Sequence, residues 1–384
     1  MFWLLALVPL LLLGVVLTYL VATGGGLTEL AGPPVEQVSI QRVTLPEPGV
    51  IRIEVVNDGP QTVTIPQVQV DDAYFGFEAS PSTTIPRLGR ATFTIYYPWV
   101  EEEAHAIALV SSLGTLFEGE VPVAVETPSF SLGLFVLFGL VGLYVGIIPV
   151  GLGMLWFPFM RRLSRQAMNF VLALTVGLLV YLAVGTWLDA NEIAAGLPAF
   201  WQGVPLVLFI ALVTLGVLVA AGNVRRGEQV GPLGVSYRIS LGIGLHNLGE
   251  GLAIGAAFAL GEAALGTFLI LGFTLHNITE GVGIVAPVVR RGAPAFKHFV
   301  WLLLIAGGPA IIGTWLGGFT FNPVLATIFL AIGVGAILQV VWEVGKLVAR
   351  DSERAGQPLV SWSNLAGLVA GIALMYFTAF LVKV

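Results

Sequence analysis

The chain has 384 residues, 57% of them hydrophobic and only 10% charged, which is more apolar surface than a single soluble core could bury. Its net charge of -6 divides unevenly, with four Lys/Arg against thirteen Asp/Glu in residues 33–127 and thirteen against ten elsewhere, so neither part carries the dense basic patch that nucleic acid binding requires. There is no cysteine, which excludes disulfides, thiolate metal sites and thiol nucleophiles.

Residues 2–22 form a first apolar run with no Lys or Arg before it and no convincing small-residue cleavage site after it, so residues 1–23 read as a retained transmembrane anchor rather than a cleaved signal. Beyond Gly24-Gly25-Gly26 the texture changes. Residues 33–127 alternate apolar and polar side chains in short runs, among them Val50–Val56, Thr62–Ile65 and Thr92–Tyr96, which is the period of strands. The Asn57-Asp58-Gly59-Pro60 sequence predicts a hairpin turn between the first two runs, and turn signals at regular spacing predict a small all-β, immunoglobulin-like sandwich.

From residue 130 to the end, eight further apolar spans are predicted, at about 130–160, 166–188, 201–222, 239–260, 264–289, 298–318, 323–348 and 363–383. Each is long enough to cross a hydrocarbon core of roughly 30 Å as a helix. The fold class expected is therefore a polytopic α-helical membrane protein, with one N-terminal helix, a small all-β domain and an eight-helix domain over residues 130–384. Basic residues give its sidedness, because cytoplasmic loops are enriched in Lys and Arg. Arg161, Arg162 and Arg165, then Arg225, Arg226 and Arg238, then Arg290, Arg291 and Lys297, then Lys346, Arg350 and Arg354 fall in alternate loops, while Asp189, Glu192 and Glu262 fall between them. This predicts a multi-pass protein of the cytoplasmic membrane with residues 33–127 and the C-terminus extracytoplasmic; of the thirteen basic residues outside 33–127, Lys383 is the one that departs from the pattern.

Ionisable side chains in the middle of such spans cost roughly 2.5 to 3.5 kcal/mol each on insertion scales, so they mark cavities, partners or function. The fourth span contains His246-Asn247-Leu248-Gly249-Glu250-Gly251 and the fifth His276-Asn277-Ile278-Thr279-Glu280-Gly281, one HNxxEG pattern written twice. His and Glu at i and i+4 lie about 40° apart around a helix, so each motif presents an imidazole and a carboxylate on one face. Two imidazoles and two carboxylates suit Zn²⁺, Fe²⁺, Mn²⁺ or Co²⁺, and two negative charges neutralise a divalent ion. Asn247 and Asn277 either supply amide oxygens or orient the other ligands. The competing reading is a pair of His–Glu hydrogen bonds that glue two helices together.

These two motifs resemble those of the ZIP (Zrt/Irt-like) family of metal transporters, which typically read HNxPEG, and the likeness covers the eight spans. The resemblance implies an eight-helix core with a metal site between the fourth and fifth spans, held by His246, Asn247, Glu250, His276, Asn277 and Glu280. It also implies transport toward the cytoplasm. The chain departs from the family at Gly249 and Thr279, which stand where the motif has proline. It also departs at Ala306-Gly307-Gly308-Pro309, which lacks the glutamate of members with an adjacent second metal site, and at Asn223–Glu228, a loop without histidine.

Three further residues are candidates for the ion pathway. Glu343, one turn after Gln339, is either part of an exit path or an ion-pair partner of Lys346. Asp189, with Glu192, is either an attracting entrance or a solvated helix end, the commoner case. His298 reads as interfacial, Glu101-Glu102-Glu103 with His105 as a solvated loop, and Gly242, Gly244, Gly251 and Gly255 as close helix packing. The function expected is transport of a divalent metal ion, Zn²⁺ first and Fe²⁺, Mn²⁺ or Cd²⁺ after it, by alternating access. No catalytic cofactor and no enzymatic activity are expected, since HNxxEG lacks the HExxH arrangement of zinc proteases. Expected partners are the metal ion, the bilayer and, for the β domain, a second copy in a homodimer or another protein. The alternative is a metal sensor or interaction protein built on a transporter core.

Overall fold

The computed structural model describes residues 2–22, 35–223, 231–260, 263–289, 294–320 and 322–383. Gly24, Gly25, Gly26, Arg225, Arg226, Glu262, Arg290, Arg291 and residues 224–228 of the histidine-free loop lie outside the described residues. Helix α1 spans Phe2–Ala22.

The alternating segment folds into strands β1 (Val38–Thr44), β2 (Val50–Asn57), β3 (Val63–Thr64), β4 (Gln67–Val70), β5 (Ala73–Phe75), β6 (Phe77–Ser80), β7 (Thr84–Ile85), β8 (Arg90–Tyr96), β9 (His105–Val110) and β10 (Leu116–Val121). They form one four-stranded sheet in the order β1-β2-β8-β6, a second in the order β10-β9-β4-β5, and the small pair β3-β7. The period of two is visible in β2, where Ile51, Ile53 and Val55 are buried and Arg52 and Glu54 are exposed, and in β8, where Ala91, Phe93 and Ile95 turn inward. These side chains meet Val68, Val70, Ile107 and Leu109 of the other sheet in a single core. Full burial of side chains of this size contributes about 1.5 to 3 kcal/mol each.

The turn after β2 differs from expectation. β2 pairs with β1 and β8, whereas β3 pairs with β7, so Asn57–Pro60 is a crossover and not a hairpin. The Asn57 side chain explains this. Its Oδ1 accepts from Gly59 N at 3.0 Å while its Nδ2 donates to the carbonyls of Gln61 and Ile85 at 2.6 and 2.8 Å, turning the chain out of the first sheet. Pro60 then brings no N–H for a ladder bond.

The helical part begins with a broken span. Helix α2 (Leu132–Gly142) runs into a wider π-helical turn (Leu143–Ile147), then α3 (Ile148–Met154) and the short α4 (Phe157–Met160). It is followed by α5 (Arg165–Ala195), a 3₁₀ turn (Ala199–Trp201), α6 (Gly203–Asn223), α7 (Pro232–Ala259), α8 (Ala263–Val285), α9 (Phe296–Thr320), α10 (Pro323–Arg354) and α11 (Trp362–Lys383). Ser131, Ser164 and Asn322 cap α2, α5 and α10 by accepting from backbone N–H groups two or three residues on. Among the described residues, six stretches are long and apolar enough to cross a membrane: Leu132–Met160, Arg165–Ala195, Ala199–Gly222, Leu265–Val288, Phe296–Thr320 and Pro323–Arg354. Helix α7 has 28 residues and is not among the six; its sequence holds Arg238, His246, Asn247 and Glu250, the last three of them buried.

The helices associate in two groups. The first span, α7, α8 and α9 pack on one another, as do α5, α6, α10 and α11, and the groups are joined chiefly by α7 against α10, with smaller contacts of α8 with α5 and α11. Small residues make these contacts close, as the sequence leads one to expect. A Cβ on Gly251 would stand 2.2 Å from the Ala310 carbonyl of α9, and one on Gly242 would stand 2.6 Å from Val340 of α10. The β domain touches the second group through Asp58, whose Oδ2 accepts from Ala199 N at 2.8 Å and from Ser39 Oγ at 3.0 Å.

Candidate metal centre

Helices α7 and α8 follow one another with a short connection, which sets His246, Asn247, Glu250, His276, Asn277 and Glu280 together between them, all buried. The two imidazole rings are 6.3 Å apart. Glu250 Oε1 lies 2.8 Å from His246 Nε2 and 2.7 Å from His276 Nε2, so one carboxylate oxygen faces both rings. His246, His276 and Glu280 each offer a ligand atom within 4.8 Å of the others, the spacing of donors around one cation.

The polar atoms left without protein partners are concentrated here. Among the described residues, neither oxygen of Glu280 has a hydrogen-bond partner although the residue is only 2% exposed, and both ring nitrogens of His246 and Oδ1 of Asn247 and Asn277 are also buried without one. A buried carboxylate without donors costs several kcal/mol relative to water unless something compensates it. The donor set is two nitrogens, two carboxylates and two amide oxygens, chemistry that fits a first-row divalent ion.

Each asparagine is oriented by a neighbouring helix. Asn247 Nδ2 donates to the Ala306 carbonyl of α9 at 3.0 Å, and Asn277 Nδ2 donates to the Val145 carbonyl in the π-helical turn at 3.1 Å. With the NH₂ groups so committed, the Oδ1 atoms are the unpaired ends. Asn277 Nδ2 also lies 3.4 Å from Glu250 Oε2. Proline does not break α7 or α8 within the motifs. A Cβ on Gly249 would meet Leu330 at an ordinary 3.5 Å, and Thr279 Oγ1 donates back to the His276 carbonyl at 2.6 Å.

The pathway candidates fall elsewhere. Glu343 is buried on α10 and pairs with Lys346 at 2.9 Å and Arg238 at 3.7 Å, the geometry of an interface ion pair. Gln339, one turn before it, packs over Gly242 with its Oε1 unpaired, one turn of α7 away from His246. Asp189 and Glu192 are exposed on the last turns of α5, outside the cluster. His298 is held by Tyr237 Oη at 2.9 Å. His105 differs from its expected place in a solvated loop. It opens β9 at 3% exposure with Nδ1 bonded to Asp71 Oδ2 at 2.8 Å, because Asp71 in the β4–β5 turn also takes bonds from Tyr97 and Ala106 and draws that strand inward. Glu101, Glu102 and Glu103 are exposed.

Sequence reasoning did not single out Val145 or Pro149 and read Ala306 only as part of a stretch lacking a glutamate, yet these residues orient the motif asparagines or shape the turn that does so. The signal for them is a proline inside an apolar run, Pro149 in the first span and Pro309 in α9. No protein-family model matches the chain, and no curated protein sequence matches it.

Proposed function

We propose that this chain carries a divalent first-row metal ion, Zn²⁺ foremost, across the cytoplasmic membrane toward the cytoplasm, by alternating access of a mid-membrane site. In this reading the eight helices from the first span to α11 form the transporter, in the manner of the ZIP family that its motifs resemble. The preceding β domain is an immunoglobulin-like extracytoplasmic module. The observation that carries the reading is Glu280, a buried carboxylate with both oxygens unpaired, set within ligand distance of His246 and His276. Helix glue accounts for Glu250, which meets both imidazoles, but leaves Glu280 without a role. Two carboxylates and two imidazoles make a site that is neutral when filled, which suits passage through a low-dielectric layer.

Uptake of Zn²⁺, Fe²⁺, Mn²⁺ and Cd²⁺ into proteoliposomes tests it. Saturable uptake by the unsubstituted protein, lost in Glu250→Ala and in Glu280→Ala, is the expected result. Tight metal binding with no uptake would move the conclusion to a metal sensor, and no binding at all would overturn the metal site.

A further inference from the structure

The two motifs are held in the same way but with a one-residue difference. On α7, Asn247 bonds to the Ala306 carbonyl and Gly251 lies against the Ala310 carbonyl, with Pro309 immediately before that contact. On α8, Asn277 bonds to the Val145 carbonyl and Gly281 lies against the Val150 carbonyl, with Pro149 immediately before it. The partner contacts run from 306 to 310 on α9 but from 145 to 150 on the first span. The first span accommodates its longer spacing in the π-helical turn, where Ile148 N–H bonds back to the Leu143 carbonyl.

That extra residue changes what the amide can reach. Pro149 has no N–H, so the α-helical bond that the Val145 carbonyl would otherwise receive cannot form, and the carbonyl accepts from Asn277 instead. The same Asn277 amide meets Glu250 Oε2. Glu250 is thereby tied at one oxygen while its other oxygen faces both imidazoles, whereas among the described residues neither oxygen of Glu280, its counterpart on α8, is held by a hydrogen bond.

We infer that Pro149 and the π-helical turn position Glu250 through Asn277, making Glu250 the fixed carboxylate of the metal site and Glu280 the free one that closes on the ion. The inference rests on the metal-ion reading given above. Positioning partners of this kind change metal affinity by about 10- to 100-fold when removed.

The test is titration of the full-length protein in detergent micelles with Co²⁺, whose visible absorption reports ligand number and geometry. Pro149→Ala restores the missing N–H and Asn277→Ala removes the donor. Each is expected to weaken Co²⁺ binding by about 10-fold and to shift the absorption band in the same direction. The double variant is expected to lose no more than either single one, since both cut one relay. Asn277→Asp, which keeps an oxygen at the site but offers the Val145 carbonyl no N–H, is expected to shift the absorption band as Pro149→Ala does, separating the lost relay from the lost amide oxygen of Asn277→Ala. Additive losses in the double variant overturn the inference, and so does an unaltered spectrum in Asn277→Asp; should Pro149→Ala not fold, the two Asn277 substitutions decide alone. A missing Co²⁺ band in the unsubstituted protein removes the metal reading itself, a different result from a band indifferent to Pro149 and Asn277.

Discussion

Glu250 and Glu280 are the same residue at the same place in two copies of one motif, yet their surroundings assign them different work. Removing Glu250 takes the acceptor from His276 Nε2 and one of the two acceptors from the Asn277 amide, whereas among the described residues removing Glu280 breaks no hydrogen bond. Both truncations leave a similar cavity, so the difference between them isolates the lost bonds. In metal-free micelles, Glu250→Ala is expected to unfold at a lower temperature than Glu280→Ala, by the equivalent of about 1 to 3 kcal/mol. Thermal denaturation measures this, and equal melting temperatures would refute it. All six members of the cluster were legible in the sequence because polar side chains are costly in an apolar run and stand out there. The roles of Glu250 and Glu280 were not legible, because they depend on Val145, more than a hundred residues before Glu250 in the chain and speaking only through its backbone carbonyl.

Among elements, strand and helix periods were readable wherever one face is buried, as in β2, β8 and the spans, while pairings were not. The Asn57–Pro60 turn carries every mark of a hairpin, but the Asn57 side chain satisfies carbonyls on two segments and sends β3 to another sheet. The β4–β5 turn shows what a local turn adds to a sheet. Asp71 and Asp72 sit at φ 50 and 62, and Asp71 then ties the turn to Tyr97, His105 and Ala106. Slight burial pushes the Asp71 carboxyl up, but hydrogen bonds from Tyr97, His105 and Ala106 outweigh it and hold it below the usual aspartate range. A folded value below the unfolded one stabilises the turn at pH above the ordinary value of about 3.9, and that contribution is lost as pH falls through the folded value. Hydrogen exchange of residues 69–75 and 104–108, corrected for intrinsic rate, is expected to accelerate at acid pH in the unsubstituted chain and to lose that dependence in Asp71→Asn. In the helical part, Gly281→Val would place a Cβ 2.1 Å from the Val150 carbonyl. Overpacking there is expected to cost about 1 to 3 kcal/mol or more and to lower the melting temperature, whereas Gly272→Ala, with open space around it, changes little.

At the scale of the whole molecule, the residues of the candidate centre stand on α7 and α8, with His246 against Gly333 of α10 in the other group, and the β domain docks on that other group through Asp58. Asp58→Ala is expected to leave metal affinity unchanged while hydrogen exchange of residues 196–203 quickens, because Ala199 N loses its acceptor; unchanged exchange would show that the docking rests on other contacts. The β domain is stitched as far as Thr127, whose N–H and Oγ1 both bond to the Leu45 backbone, so only Pro128 to Ser131 separate that last tie from α2. The domain is thus fastened twice, by this short strap to one group of helices and by a carboxylate to the other. It closes a mechanical loop across the seam between α7 and α10. While both fastenings hold, the slack of four residues and the Asp58 bond bound how far the two groups of helices can part at that end.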